Sequence, residues 1–443
     1  MRVVVERFNL SPGPHTGKVG DPDEDTKQRL LVTSLSPARH SPRCRSLARC
    51  CPRLLIAQLG LNQIVIVKCV TMPYAGVMTM RTLIQLSKGK TSRQAHRDLP
   101  SGGTNGELLK DDELTRRGFD GREAVLYRSN DPTVFRTEGR FRSTSVMLGD
   151  IKPEDLTDPR GNAQRLYYNA DATIWLSRRA EPMPFYRRNV DGDECWFVHR
   201  GSGTVETEFG PISYGQGDYV VIPKALTHRF VVHGGETMLF GIETVGGLQA
   251  PTYVGLGRHA PFDPDVIRVP EPAATLSDRD EYEIRVKYDN EYSSIYVDHH
   301  PCDVQGWKGD YFPFAFNIGD WNVIMSDSLH LPPSMHCFLV AEGVNIINLL
   351  PRPFESVEGV ERIPWFHRNA DYDEIALIHG AKSLGRPLKS GLVSHDPQGI
   401  HHGFPDRARI KSRREWGEHR RIEWEIIMVE AARPLKLDPA VQA

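Results

Sequence analysis

Three residues in the last fifth of the chain could hold a metal ion together. They are two histidines, His367 and His402, and a carboxylate close to the first histidine. Two imidazoles and one carboxylate bind a divalent metal and leave coordination positions open, as in non-haem Fe(II) oxygenases. Open positions allow O2 and a substrate oxygen to bind the same metal.

The sequence around these residues occurs twice in the chain. Residues 186–194 read YRRNVDGDE, and residues 366–374 read FHRNADYDE. Each copy continues with a glycine, a proline six residues later and a histidine five residues after that: Gly217, Pro223 and His228, then Gly391, Pro397 and His402. Two matching elements at matching positions predict two copies of one domain.

The two elements resemble the two cupin motifs, His-x-His-x4-Glu and Gly-x5-Pro-x-Gly-x2-His. The second motif is complete from Gly391 to His402. The first motif has its first histidine at His367 and its carboxylate at Glu374, while Asn369 stands in place of the second histidine. The resemblance implies small antiparallel double-sheet barrels whose ligands project inward. It implies His367, Glu374 and His402 as ligands of Fe(II).

The identity of the carboxylate ligand is open between Glu374 and Asp373. Adjacent residues of a strand point to opposite faces, so only one of them faces the metal. Asp373 lies the expected seven residues before Gly380, whereas Glu374 lies six residues before it. The repeat and the distance from His367 favour Glu374.

The first copy of the repeat departs from the second at one ligand position. Arg187 takes the place of His367, and a guanidinium cannot ligate a metal because it stays protonated. Glu194 and His228 remain. We therefore predict that the first barrel keeps the scaffold and that only the second barrel binds metal.

Residues close to the predicted ligands are assigned roles other than metal binding. Arg368 and Asn369 recur as an arginine and an asparagine in the copy without metal, which indicates a structural role. His395 and His401 could fix the tautomer of a ligand, and His401 could instead face away.

The elements that position these residues are predicted to be strands. Short apolar or alternating runs lie between Gly, Pro and Asp turns, as in sandwiches and barrels. We predict a mostly β chain with two cupin-type (jelly-roll) barrels: a metal-free barrel within 78–270 and a catalytic barrel at 283–443. Residues 1–77 are either a disordered tail or an extension upstream of the true start. Residues 413–432 fit a helix or a strand equally well.

Composition narrows the class of protein. A formal net charge of -2 gives no bulk attraction to nucleic acid or to an anionic membrane. The seven cysteines form no disulfide framework, and no run reads as a signal peptide or a membrane span. These features favour a cytoplasmic protein.

Several stretches resemble the homogentisate 1,2-dioxygenase family. They are PCDVQGWKGDYFPFAFNIGDW (301–321), SLHLPPSMH (328–336), PWFHRN (364–369) and HHGFP (401–405), with looser matches at 88–90 and 118–133. The resemblance covers about residues 80–430. It implies an extradiol-type enzyme of tyrosine and phenylalanine catabolism that uses Fe(II) to insert both atoms of O2 into homogentisate, giving maleylacetoacetate. It also implies His330 as the acid/base, His401 and His402 as substrate contacts, and a trimeric or hexameric homo-oligomer.

Two departures from the family pattern leave the substrate open. The family's Gly-Phe-Gly-Asn-Glu run is absent, and Gly380, Ala381 and Lys382 stand where a substrate-binding tyrosine is expected. A gentisate-like or other hydroquinone-type acid is one alternative. A metal-cupin isomerase or hydrolase using Zn or Mn is another, and a non-enzymatic ligand-binding bicupin is a third.

Overall fold

A computed structural model gives two compact units, Met1–Met80 and Arg81–Ala443. The described residues are 2–9, 55–58, 63–70 and 86–441, without 104–105, 117–121, 252–263, 274, 322, 329–330, 332–335, 363–364, 384–385, 416 and 419. In the first unit, three described antiparallel strands form a sheet in the order β1-β3-β2: β1 (Arg2–Asn9), β2 (Leu55–Gln58) and β3 (Gln63–Val70).

The second unit is built mainly from strands. The strands before residue 300 are β4 (Lys110–Thr115), β5 (Glu123–Arg128), β6 (Thr144–Met147), β7 (Gln164–Tyr168), β8 (Ala172–Arg179), β9 (Tyr186–Asn189), β10 (Asp193–Thr207), β11 (Gly210–Tyr214), β12 (Asp218–Ile222), β13 (Thr227–Thr244), β14 (Tyr282–Tyr288) and β15 (Glu291–Val297). Those after residue 300 are β16 (Phe314–Asn317), β17 (Cys337–Ala341), β18 (Val344–Leu349), β19 (Arg352–Pro353), β20 (Phe366–Asn369), β21 (Asp373–Ser383), β22 (Arg386–Pro387), β23 (Leu392–Asp396), β24 (Arg421–Ala431) and β25 (Lys436–Leu437).

Helices are short among the described residues. One α-helix, α1, covers Asp406–Arg414, and short 3-10 turns lie at Leu148–Asp150, Glu154–Leu156, Pro264–Val266, Ile318–Asp320 and Pro439–Val441. None of the described helices is long and apolar enough to cross a membrane. The mostly β fold predicted from the sequence is confirmed.

Each copy of the repeat lies in its own large sheet. The first copy lies in an eleven-stranded sheet along β15-β14-β9-β13-β10-β12-β16, with β7, β8, β11 and β25 attached. The second copy lies in an eight-stranded sheet along β17-β18-β24-β21-β23-β6, with β19 and β22 attached. A smaller sheet, β20-β4-β5, carries the first residues of the second copy.

The glycine of the repeat has the same conformation in both copies. Gly217 has φ +84° and Gly391 has φ +81°, in the left-handed region where a side chain is strained. Gly217 N–H donates to the carbonyl of Val198 at 2.9 Å, and Gly391 N–H donates to the carbonyl of Ile378 at 2.8 Å. Val198 and Ile378 are equivalent residues of β10 and β21, so the two copies share one backbone turn.

Strand pairing crosses the predicted domain boundaries. β14 pairs in parallel with β9, and β16 pairs with β12, so residues 282–288 and 314–317 complete the first sheet. Conversely, β4 pairs in parallel with β20, and β6 pairs with β23, so residues before 150 complete the second copy. The predicted domain boundary, between residues 270 and 283, therefore does not separate the strands of the two large sheets. The division into two domains remains a prediction.

One apolar core contains side chains from both large sheets. Phe197 and Tyr219 of the first sheet belong to the same buried cluster as Phe338, Ile375 and Ile427 of the second. Burial alternates along β23, where every second side chain is buried, as expected for a strand with one face on the core. The shared core fixes the strands that carry the candidate site.

Candidate metal centre

His367 and His402 are brought together by their backbones. His367 lies in β20, and His402 lies in the loop that follows β23. The two residues form an antiparallel bridge with two hydrogen bonds, each 3.0 Å from N to O. Their ring centroids are 4.0 Å apart. The 34 residues between the two histidines are therefore closed into a loop by a direct backbone contact.

Glu374 completes the group from the neighbouring strand β21. Its Oε2 is 3.1 Å from Nε2 of His402 and 3.7 Å from Nε2 of His367. The three potential ligand atoms lie within 4.8 Å of one another, and the described residues contain one such group. Nitrogen, nitrogen and carboxylate oxygen donors on one side suit a two-His-one-carboxylate metal site.

Backbone carbonyls fix the orientation of both imidazoles. Nδ1 of His367 lies 3.2 Å from the carbonyl oxygen of Trp365, and Nδ1 of His402 lies 3.2 Å from that of Ile400. A hydrogen bond at Nδ1 keeps a proton there, so Nε2 is the nitrogen at which a metal would take the place of a proton. Both Nε2 atoms face Glu374.

Asp373 faces away from His367 and His402, and its carboxylate has other hydrogen-bond partners. Its carboxylate accepts hydrogen bonds from Nε2 of His395 at 2.8 Å, from the N–H of Gln398 at 3.0 Å and from the N–H of Leu435 at 2.8 Å. Strand alternation therefore places Glu374, and not Asp373, beside the two histidines. The expectation that His395 orients a ligand directly finds no support, because its described partners are Asp373 and Thr144.

Asn369 contacts the carboxylate of the group directly. Its Nδ2 donates to Oε2 of Glu374 at 2.9 Å, and its Oδ1 accepts from the hydroxyl of Thr115 at 3.1 Å. The sequence predicted a purely structural role for Asn369, and this contact to Glu374 was missed. The available signal was its place in the motif, where other cupins have a second ligand histidine.

The carboxylate and the histidines are electrostatically coupled. Burial raises the pKa of Glu374, but the charge of His402 and hydrogen bonds from both histidines outweigh it and hold the pKa well below the usual range. Burial lowers the pKa of His402, but the adjacent Glu374 carboxylate raises it to about 9. The buried carboxylate thus attracts cations to this point of the barrel.

His401 points to a different partner from His402. Nε2 of His401 is 3.1 Å from Oδ2 of Asp112, a fully buried residue of β4 that also accepts from Nε of Arg128 at 2.5 Å. Burial lowers the pKa of His401, Asp112 opposes this, and Arg368 and Arg128 lower the pKa further. Asp112 and Arg128 were not singled out from the sequence. His330, the predicted acid/base, lies outside the described residues.

The first barrel reproduces this arrangement with an arginine in it. Arg187 pairs with His228 in the strand register, as His367 pairs with His402. Arg187 Nη2 is 2.5 Å from Oε1 of Glu194, and His228 Nε2 is 3.4 Å from Oε2 of Glu194. Burial and then the charge of Arg187 lower the pKa of His228 to about 3. A guanidinium stands where the second barrel offers an imidazole.

Comparisons with known proteins agree with the fold and the motifs. The family model for the homogentisate 1,2-dioxygenase N-terminal region matches residues 166–318. The "Putative dioxygenase SSO1533" of Saccharolobus solfataricus is 25% identical over 358 residues, which are 75% of this chain and 90% of that protein. The homogentisate 1,2-dioxygenase of Emericella nidulans is 26% identical over 227 residues, which are 48% of this chain and half of that protein.

Two solved structures are similar in a general way. Ylba from E. coli covers 68% of this chain and 95% of its own at 11% identity and a TM-score of 0.32. A cupin 2 conserved barrel domain protein from Leptotrichia buccalis covers 67% and 92% at 9% identity and a TM-score of 0.28. Neither likeness informs the site.

The mostly β fold and the motif repeated in two large sheets agree with the two cupin-type domains predicted from the sequence. Within the cupin class, the matches confirm the family resemblance predicted from the motifs: the chain is related to the homogentisate 1,2-dioxygenases.

Proposed function

We propose that the chain is an Fe(II)-dependent ring-cleaving dioxygenase of a 1,4-dihydroxylated aromatic acid, with homogentisate as substrate and maleylacetoacetate as product. The relation to homogentisate 1,2-dioxygenases supports ring cleavage. The observation that carries the proposal is the group His367, Glu374 and His402, whose ligand atoms lie within 4.8 Å. Both atoms of O2 enter the product.

These three residues would hold the iron, and Asn369 would hold Glu374. Iron bound there would supply a Lewis-acidic, redox-active centre for a phenolate oxygen and O2. Asn369 donates to one oxygen of Glu374 and so restricts rotation of the carboxylate. The backbone bridge between the histidines keeps both Nε2 atoms on one side.

The surrounding residues bury the side chains of the three proposed ligands and place positively charged groups near them. The side chains of His367 and Glu374 are each 9% exposed and that of His402 is 15% exposed, so little water reaches the ligands. Low water content strengthens electrostatic interactions within the site. Arg128 and Arg368 near His401 add positive charge, which suits an acidic substrate, and we keep His401 and His402 as the proposed substrate contacts.

An oxygen electrode with a substrate panel tests the proposal. Protein loaded with Fe(II) under ascorbate is expected to consume one O2 per homogentisate and to form a yellow ring-opened acid. Gentisate in parallel shows whether the substrate is a related hydroquinone acid. No oxygen uptake with any hydroquinone-type acid contradicts the proposal, and turnover without O2 on Zn- or Mn-loaded protein favours an isomerase or hydrolase.

Two adjacent carboxylates give a matched pair of variants. Glu374→Gln is expected to lose metal and oxygen uptake together, because it removes a ligand charge. Asp373→Asn is expected to keep both, because Asp373 contacts His395 and two backbone N–H groups instead. Loss of metal in Asp373→Asn alone would reverse the assignment of the carboxylate.

Assembly and location are also proposals. We propose a cytoplasmic homo-oligomer, trimeric or hexameric, whose partners are a small aromatic acid and O2 and which binds neither nucleic acid nor membrane. The near-zero net charge of -2 supports the last two points.

A further inference from the structure

The barrel without the metal ligand set contains a small cavity of mixed character. Its lining includes Arg179, Arg187, Asp155, Trp196 and Tyr292. Four buried apolar side chains close the rest of the wall: Met183, Phe185, Phe230 and Leu239. Tyr292 is 39% exposed, so this side of the lining reaches the protein surface.

Two residues of this lining carry buried N–H donors without an acceptor. Nε1 of Trp196 and Nε of Arg187 have no hydrogen-bond partner within the described part of the chain. Trp196 is 2% exposed as a whole residue. A buried donor without an acceptor destabilises the fold, so two of them on one cavity indicate that an acceptor belongs there.

The indole of Trp196 cannot turn to find a partner elsewhere. Gly241 lies opposite Trp196 in the β10–β13 register, and a Cβ at Gly241 would come within 2.4 Å of the indole ring. Phe230 packs against the same ring edge to face, with centroids 5.9 Å apart. This tight packing fixes the ring, so its N–H needs an acceptor at its present position.

Among the charged groups of the lining, Arg187 is the cation that keeps a nitrogen for a ligand. Arg179 is engaged within the wall, because its Nε lies 3.5 Å from Oδ2 of Asp155 and its terminal nitrogens donate to two backbone carbonyls. Both oxygens of Asp155 are already engaged, one by the hydroxyl of Ser177 at 2.6 Å and one by the N–H of Arg178 at 3.0 Å. Arg187 also contacts Glu194, which is not part of the lining, through Nη2, so its Nε remains for a ligand.

We propose that the first barrel binds a short aliphatic carboxylate, which accepts hydrogen bonds from Nε of Arg187 and Nε1 of Trp196 and packs its carbon chain on the apolar wall. A charged donor such as guanidinium forms its strongest hydrogen bonds with a carboxylate. The buried apolar side chains favour a compact aliphatic group over a water cluster. Arg187 thus replaces a metal as the cation of this barrel, and the site is separate from the proposed iron site.

Indole N–H resonances of 15N-labelled protein test the proposal with acetate as the probe. The Trp196 resonance, assigned by its loss in Trp196→Phe, is expected to shift saturably with sodium acetate and not with sodium chloride. The indole of Trp175 is the control, because it lies in the same barrel and already donates to Glu243 at 3.1 Å. An unmoved Trp196 resonance, or an equal shift with chloride, overturns the proposal.

A neutral probe and a second variant show whether the charge of acetate, and not only its size, determines its binding. Acetamide matches acetate in size and is expected to bind at least tenfold more weakly. Arg187→Met is expected to weaken acetate binding by tenfold or more while metal content and oxygen uptake stay unchanged. Equal affinity for acetamide, or unchanged acetate affinity in folded Arg187→Met, overturns the assignment of a carboxylate to Arg187.

Discussion

Replacing Arg187 by histidine should create a second metal site. The substitution reproduces the proposed ligand set of the second barrel at the equivalent place: a histidine beside Glu194 and His228. The register is already correct, because residue 187 pairs with His228 as His367 pairs with His402. We expect the metal content of Arg187→His to rise from one to two ions per chain.

The magnitude follows from the position of the guanidinium. Arg187 Nη2 is 2.5 Å from Glu194, so an ion on the Glu194 carboxylate would lie at close range to the positive charge. Two unit charges ~4 Å apart at an effective dielectric of ~20 repel by ~4 kcal/mol, and a divalent ion doubles this to ~8 kcal/mol. That repulsion corresponds to roughly a million-fold loss of affinity, which the substitution removes.

The other two ligands of the first barrel are ready for a metal. Nε2 of His228 and Oε2 of Glu194 are buried and have no hydrogen-bond partner within the described chain. Nδ1 of His228 lies 3.2 Å from the carbonyl of Leu226, the same contact that orients His367 and His402. The pKa of about 3 keeps His228 neutral near pH 7, with its lone pair available.

Metal analysis of protein loaded with Fe(II) or Co(II) and then desalted measures the outcome. Arg188→His is the matched control: Arg188 is the next residue of β9 and donates to the hydroxyl of Thr227 at 2.6 Å, so a histidine there does not face Glu194. Arg187→Gln removes the charge without adding a ligand and should bind a second ion more weakly than Arg187→His. A folded Arg187→His protein that still holds one ion refutes the reasoning.

Three further expectations concern the rest of the chain. Asp373→Asn should lower the free energy of unfolding by about 3 kcal/mol, because three donors lose a buried charged acceptor; an unchanged urea midpoint contradicts this. Asn369→Ala should weaken metal affinity about tenfold or more while the ligands remain, as measured by competition with a chelator; unaltered affinity rules out its contact with Glu374 as a positioning device. Burial lowers the pKa of His199 and His379 to about 4, and the charges of His379 and Arg200 lower that of His199 further, so the unfolded chain takes up their protons first as the pH falls from 6.5 towards 4. Stability should therefore fall with pH in that window, by about 2 kcal/mol per histidine at pH 5, and urea unfolding of His379→Asn should show a smaller loss than wild type between pH 7 and pH 5.

The sequence by itself determined the strand-rich fold, the repeat and the pair of histidines. These depend on local signals: alternation, turn glycines and fixed spacing between motif residues. Gly217 and Gly391 show why motif spacing predicts structure. Each has a left-handed backbone conformation at the same point of the same turn, and glycine adopts this conformation without strain. The replacement of a ligand histidine by Arg187 was equally visible, because it is a difference of residue type.

Tertiary structure alone decided which carboxylate faces the histidines. Asp373 and Glu374 are adjacent and chemically alike, and the register of β21 with β23 and β24 determines which one faces inward. The ambiguous residues 413–432 were decided in the same way: α1 ends at Arg414, and pairing with β18 and β21 makes Arg421–Ala431 a strand. Pairing between distant segments, such as β4 with β20, leaves no local pattern, because its partners are more than 250 residues apart. The contacts of Asn369 and Asp112 with the site depend on such pairing, so they were available only from the folded chain.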